Sequence, residues 1–242
     1  MEKNTISIVI PARQGSKSIL DKNITLVNNH TLLEYTTYIA KKCSNVQNIF
    51  VSTDSKKYQE LAIEYGVLAP FLRPEIISRD RSLDIEWFFN LFEQISKLNY
   101  KISEYWVWLR PTTPLRNVEI IEKAIKNILM DKNADSLRSV HLMSESPYKF
   151  YENDKSNYLV PFGFKETGID NTSKNKQSLS DVWIPNGYVD IVKYDYIVKN
   201  KDLFGKKILK FETDHTIEID SPEELDYLKY YIEKKGNPVF KD

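Results

Sequence analysis

The sequence predicts a three-layer α/β domain: a mainly parallel sheet with helices on both faces. Three observations carry that prediction. Short, nearly uncharged runs rich in β-branched and aromatic residues recur along the chain, as strands buried on both faces do. Segments with apolar residues at helical spacing alternate with them. Polar, proline-bracketed stretches follow several of the runs, at the strand ends where such sheets collect ligands.

Thr5 to Ile10 reads as the first buried strand, and Pro11 ends it. Arg13 to Asn23 reads as a long polar loop. Leu32, Tyr35, Thr36, Ile39, Ala40 and Cys43 then share one face of a helix, and Asn48 to Ser52 forms a second strand. Ser55 is positioned to cap a helix carrying Tyr58, Leu61, Ala62 and Tyr65, with Gly66 as its stop. Leu83 to Leu98 reads as helix and Tyr105 to Leu109 as strand. Asn117 caps a helix with the stripe Ile121, Ala124, Ile125 and Ile128, and Asp135 to Val140 resembles a further strand. From His141 to Asp181 the rhythm breaks in a stretch rich in Ser, Asn, Lys and Tyr. This is predicted to be an excursion from a single domain spanning 1–242. Tyr188 to Val192 resumes the strands, and Thr216 to Asp220 reads as a short one. Ser221-Pro222-Glu223-Glu224 combines a capping box with Pro at the first helical position, ahead of Leu225, Leu228 and Ile232.

Lys+Arg and Asp+Glu both total 34, so no net field attracts nucleic acid or an anionic membrane, and neither is expected as a partner. Cys43 stands alone, which rules out an intramolecular disulfide and suits a reducing compartment. The apolar run at Ile6 to Ile10 is too short to span a bilayer and lacks a small-residue cleavage site. A cytoplasmic location is expected.

Three motifs carry the chemistry. Pro11-Ala12-Arg13-Gln14-Gly15-Ser16-Lys17, followed by Asp21-Lys22-Asn23, trails a strand where backbone N–H groups can form an anion nest. Gly15 permits close approach of a phosphate, and Arg13 and Lys22 can neutralise one. It is neither a Walker A loop nor G-x-G-x-x-G, and alone it reads equally as a basic surface loop. Arg110-Pro111-Thr112-Thr113-Pro114-Leu115-Arg116 presents hydroxyls and two guanidinium groups on a stiffened loop, suited to an anionic or polyhydroxylated ligand. Alone, a rigid turn with solvated arginines describes it better. In Thr216-Ile217-Glu218-Ile219-Asp220, alternation puts Glu218 and Asp220 on one face, a pair of hard ligands suited to Mg²⁺ or simply a solvent-facing acidic strand. Pro185-Asn186-Gly187-Tyr188 reads as an ordinary turn before a strand, and Ser52-Thr53-Asp54 as a capping turn. His30, His141 and His215 show no metal-ligand spacing.

In this order the motifs resemble the acylneuraminate cytidylyltransferases, almost end to end. Ala12, Arg13, Gly15, Ser16, Lys17, Lys22 and Asn23 match that family's opening loop, and Ser52-Thr53-Asp54, Arg73-Pro74 and Asp80 match its next segments. Arg110 to Arg116, Lys176-Gln177-Ser178-Leu179, Asn186 to Ile191, and Glu218 with Asp220 follow in family order. The resemblance implies a nucleotide-diphospho-sugar transferase-like fold, CTP and an acidic sugar as substrates, and Mg²⁺ or Mn²⁺ as cofactor. It also implies a homodimer, with the excursion providing dimer contacts and helping to close the partner's sugar site. Ala12, Arg13, Gly15, Ser16, Lys22, Asn23 and Asp84 are then nucleotide-binding, and Arg13, Lys22 and Asp220 catalytic. Arg110, Pro111, Thr112, Lys176, Gln177 and Asn186 are acceptor-binding, with Arg110 and Lys176 candidates for its carboxylate. Glu218 and Asp220 are the metal ligands. Arg110 stands where the family often has Gln, Lys176 where it often has Arg, and Glu218 where it has Asp.

The implied reaction is transfer of CMP from CTP to the anomeric hydroxyl of a nonulosonic, sialic-like acid, with release of pyrophosphate. The alternatives are a nucleotidyltransferase acting on a phosphorylated sugar or other phosphorylated metabolite, and a nucleotide-binding relative without catalysis. Convergence of Arg110, Arg116 and Arg138 would leave the acceptor pocket more cationic than one carboxylate requires. Neutralisation by an acidic side chain is expected, rather than a second negative charge on the acceptor.

Overall fold

The computed structural model describes residues 5–154, 156–162 and 170–240. Its first half runs β1 (Ile6–Pro11), β2 (Leu26–Val27), β3 (His30–Thr31), α1 (Leu32–Lys42), β4 (Asn48–Ser52), α2 (Lys56–Glu64), α3 (Asp84–Lys97) and β5 (Tyr105–Trp108). The second half runs α4 (Val118–Met130), β6 (Ser136–Leu142), β7 (Tyr151–Asn153), β8 (Leu159–Pro161) and α5 (Asp170–Ser173). It continues through β9 (Trp183–Lys193), α6 (Tyr194–Asn200), β10 (Ile208–Glu212) and α7 (Pro222–Lys235).

Six strands form the central sheet in the order β10-β6-β9-β5-β1-β4. β1 pairs in parallel with β4 and β5, and β10 with β6, whereas β9 runs antiparallel to both β5 and β6. The expected mainly parallel sheet is therefore present, with one reversed strand inserted at its centre. Period-two alternation divides the core between its two faces. Ile8, Ile10, Val51, Val107, Leu137, Val189 and Ile191 pack with residues of α1, α2, α4 and α7. Val9, Phe50, Trp106, Trp108 and Val192 pack with α3 and Ile197 of α6. Burying each large aliphatic or aromatic side chain contributes about 1.5–3 kcal/mol, so covering both faces is the dominant reason the layers hold.

Local signals behave as the sequence requires. Ser55 Oγ accepts from Tyr58 N–H and Asn117 Oδ1 from Glu119 N–H, each starting its helix. Gly66 adopts φ 78° just past α2. At α7 the Glu224 carboxylate accepts from the Ser221 N–H at 2.8 Å, and Ser221 Oγ accepts from Glu224 N–H at 3.3 Å.

Two readings need correction, and one helix has no counterpart in the sequence reading. Thr216 to Asp220 does not form a strand: residues 213–219 lie outside the sheet, and the strand at this edge, beside β6, is the Lys-interrupted β10. Pro185-Asn186-Gly187 is not a turn before a strand but lies inside β9, where the register against β6 shifts between Arg138 and Val140. Gly187 takes φ 65° there, so the irregularity is absorbed by the residue without a side chain. α6 was not anticipated, because Tyr194 to Asn200 buries only Ile197 and shows little apolar periodicity. Over the expected excursion, β6 extends to Leu142, and the short β7–β8 hairpin and α5 follow before β9 begins. Residues 155 and 163–169 of that stretch lie outside the described residues.

Candidate active site

β1 delivers the first loop. Ala12 N–H donates to Ser52 O at 2.9 Å, prolonging the parallel pairing beyond Pro11 and holding Ala12 fully buried. Asn23, also buried, donates from Nδ2 to Arg13 O at 2.9 Å, and Asp54 accepts from Gln14 N–H at 2.8 Å. Tyr58 O–H anchors Asp21 at 2.9 Å. Gly15 takes φ 82°, which an L side chain would strain, and this lets the loop turn beside the cleft.

β5 delivers the second loop. Arg116, 2% exposed, does not line the cleft with Arg110, so the three arginines do not all converge there. Its guanidinium turns inward and donates to Tyr188 O at 2.6 Å, Gly187 O at 3.0 Å and Arg110 O at 2.8 Å. Burial lowers its pKa to about 9, still charged at neutral pH, and three carbonyls satisfy it. Arg116 is thus the internal strut of the Pro111 loop.

The approach to α7 delivers the third element. Ile219 N–H donates to Thr112 O at 2.8 Å, tying the acidic segment to the Pro111 loop. Lys22 Nζ donates to Ile219 O and to Asp220 Oδ1, both at 2.8 Å, tying it also to the first loop. Glu218 sits against Gly187 and Thr113: a Cβ on Gly187 would lie 3.2 Å from Glu218 Oε1 and from Thr113 Oγ1. Burial, and then the Asp220 charge, push the Glu218 carboxyl above its ordinary range, against the pull of Arg110, Lys22 and Arg116.

These pieces enclose a cleft of ≈ 350 Å³ at the carboxyl ends of β1 and β5. Of the residues singled out in the sequence, Arg13, Ser16, Lys22, Asn23, Asp84, Arg110, Pro111, Thr112, Glu218 and Asp220 line it. Ala12 and Gly15 shape its first loop without lining it. Three acceptor candidates lie elsewhere within the chain. Lys176 donates to Ser144 O beyond the end of β6, and Gln177 is beside it in the same exposed turn. Asn186 is buried and spends its side chain on Thr213 Oγ1 at 2.7 Å and Tyr188 N–H at 3.2 Å, holding the β9 irregularity in place.

The cleft and the core behind it also hold residues that the sequence alone left without a role. Asp80 accepts from Arg13 at 2.8 Å and from Lys17 at 2.5 Å, and those two cations, Lys17 first, hold its carboxyl below the usual range. Arg73, 5% exposed, donates to Ser52 O at 2.6 Å and lies 5.4 Å from the Trp87 ring, and burial lowers its pKa to about 10. Trp87 Nε1 in turn donates to Asp84 Oδ1 at 2.9 Å, which fixes Asp84 at the cleft wall. Asp190 neutralises the acceptor-side arginines, as expected of some acidic side chain. It is fully buried and accepts from Arg110 Nη1 at 2.9 Å and Arg138 Nε at 3.3 Å. Its signal was available: it is the one charge in the otherwise apolar run Tyr188 to Val192, and a charge in such a run needs a partner.

A cleft that gathers cations from one loop, a carboxylate pair from another and a strutted arginine loop is suited to moving a charged phosphoryl group. A family model described as cytidylyltransferase matches residues 7–232. This chain belongs to the cytidylyltransferase family. It is accordingly a nucleotidyltransferase. It is 29% identical over 221 residues to the CMP-N,N'-diacetyllegionaminic acid synthase of Legionella pneumophila, covering 90% of this chain and 91% of that relative. It is 27% identical over 241 residues to the N-acylneuraminate cytidylyltransferase of Escherichia coli, covering 97% of this chain and 54% of that longer relative. Among solved structures it is similar to CMP:2-keto-3-deoxy-manno-octonic acid synthetase complexed with CTP, with a TM-score of 0.69 at 15% identity over 96% of this chain and 100% of that one. That similarity speaks for the fold. No described helix is long and apolar enough to cross a membrane.

Proposed function

We propose that this cytidylyltransferase transfers CMP from CTP to the anomeric hydroxyl of a nonulosonic acid. The observation that carries the reading is one cleft lined together by Arg13, Lys22, Arg110, Glu218 and Asp220, in which Lys22 is bonded to Asp220. The acceptor oxygen attacks the α-phosphorus, the bond from that phosphorus to the β-phosphate oxygen breaks, and pyrophosphate leaves with the electron pair. The hydroxyl proton passes to solvent. Arg13 and Lys22 bind the triphosphate and the charge that grows on the leaving pyrophosphate. Arg110 binds the acceptor carboxylate, Pro111 and Thr112 hold that loop in shape, and Asp84 faces the nucleotide.

Glu218 and Asp220 fit a Mg²⁺, since burial and the neighbouring Asp220 charge both raise the Glu218 carboxyl and a cation held between the two carboxylates would offset that cost. Among the described residues no cluster of three or more His, Cys, Asp or Glu ligands occurs, so two carboxylates leave room for substrate oxygens and water. When bound, the ion screens phosphate charge and lowers the pKa of the attacking hydroxyl. A homodimer in the cytoplasm belongs to the same reading. Tyr158, Leu159 and Phe162 on and beside the β7–β8 hairpin are 72%, 70% and 50% exposed, an apolar surface suited to a second copy. Lys176 and Gln177, remote from their own chain's cleft, would then serve the partner's.

The test is pyrophosphate release from a panel of nucleoside triphosphates against free nonulosonic acids and phosphorylated sugars. CTP with a free nonulosonic acid is the expected productive pair. Turnover confined to phosphorylated acceptors, or CTP binding without pyrophosphate release, would replace this reading.

A further inference from the structure

Arg110 and Arg138 share one carboxylate. Register places Trp108, Asp190 and Arg138 side by side across β5, β9 and β6, on the same face of the sheet. Arg110 lies over the Trp108 ring at 3.8 Å and Arg138 over Phe204 at 4.0 Å, so each guanidinium is stacked as well as paired. Asp190 is fully buried between them, while the two arginine side chains are 22% and 25% exposed. Of the three, Arg110 alone lines the cleft.

The charges decide what this arrangement does. A buried carboxylate with Arg110 as its sole partner would consume that guanidinium's charge, leaving nothing net for an anionic ligand. With Arg138 on its second oxygen, Asp190 is already compensated from the far side. The trio then carries one surplus positive charge, and the cleft meets it at Arg110.

We infer that Arg138 is a positioning, specificity-determining residue for the acceptor: by sharing Asp190 with Arg110, it leaves Arg110 fixed in direction and free in charge to hold the acceptor carboxylate. This rests on the reading above that the acceptor is a free sugar acid. Arg138 itself touches no substrate. The arrangement differs from a merely structural stack on Phe204, because it requires the charge at position 138 and not only the side chain's bulk.

Steady-state kinetics on the full chain separate the two. Arg138→Met keeps the stem over Phe204 and removes the charge, Arg138→Lys restores the charge, and Arg138→Gln provides a second neutral variant should the Met variant fold poorly. The acceptors are the free nonulosonic acid that the wild type turns over and its C1 carboxamide. The neutral variants are expected to raise the acceptor KM about tenfold, the scale of one charged hydrogen bond, with kcat and the KM for CTP within about twofold. Arg138→Lys should recover most of that loss, and the carboxamide should show little of it. An unchanged acceptor KM in the neutral variants overturns the inference. So does an equal loss with the carboxamide, or a Lys variant as impaired as the neutral ones. A wild type that uses no free nonulosonic acid with CTP instead sinks the functional reading first, and this inference with it.

Discussion

Asp190 Oδ2 accepts from Arg110 Nη1 at 2.9 Å, from a carboxylate wholly buried in β9 to a guanidinium that lines the cleft. The bond makes Arg110 part of both the core and the site, and the two roles separate by mutation. Arg110→Gln leaves Asp190 paired with Arg138, so the fold persists and acceptor affinity changes by about an order of magnitude at most. Asp190→Ala leaves two guanidinium groups facing each other without a counter-charge, at a cost of about 3 kcal/mol. Urea unfolding measures this as a lower midpoint at constant slope. Equal stability of the two variants would contradict it.

Lys22 binds Asp220 and the carbonyl before it, so the basic loop and the acidic segment form one unit. Asp220→Ala is expected to nearly abolish turnover in the presence of Mg²⁺. Arg13→Ala and Lys22→Ala should each lose roughly 10²-fold in kcat, as groups matched to developing charge do. Pyrophosphate-release kinetics on the folded variants check all three. Near-normal turnover by Asp220→Ala at modest Mg²⁺ would remove the metal assignment.

Gly187 combines φ 65° with a Cβ position 3.2 Å from both Glu218 Oε1 and Thr113 Oγ1. Gly187→Ala therefore strains the backbone by about 1–2 kcal/mol and pushes on the carboxylate as well. The expected outcome is a lower unfolding midpoint together with a fall in kcat. A variant equal to wild type in both would show that neither constraint operates.

The Glu218 carboxyl is raised by burial and by Asp220, and the sign of its effect follows. The native protein holds this proton more tightly than the unfolded chain does. Stability therefore falls as pH rises from the ordinary carboxyl value of about 4.3 through the raised one, and the loss is complete above it. Glu218→Gln removes that cost. Without metal its Tm should exceed the wild type's at neutral pH by about 1–3 °C, with the difference vanishing below about pH 4. Mg²⁺ should raise the wild-type Tm at pH 7 and leave the Gln variant nearly unmoved. A Gln variant melting below wild type at pH 7 without Mg²⁺ would show that this carboxylate is stabilising instead.

Much of the frame was legible because it is local. β4 matches its expected residues, Asn48 to Ser52, because a buried strand must be apolar over its own length. The caps at Ser55, Asn117 and Ser221 were readable because each bonds within three residues of itself. Arg13, Lys22 and Arg110 meet in one cleft for a related reason: loops at the carboxyl ends of the neighbouring parallel strands β1 and β5 emerge on the same side. Glu218 and Asp220 reach it instead through the bonds of their segment to Thr112 and Lys22.

What the tertiary structure alone decided depends on which strands are neighbours. Period-two alternation sets the face on which Asp190 stands. It does not say that β9 enters reversed between β5 and β6, which puts Arg110 and Arg138 on either side of that carboxylate. The inward turn of Arg116 onto the carbonyls of β9, the contact of Glu218 with Gly187, and the distance of Lys176 from its own cleft have the same origin. Strand order is set by the packing of both faces over the whole chain, and a hydrogen bond spanning 197 residues, such as Lys22 to Ile219, leaves no periodic trace in the sequence around either partner.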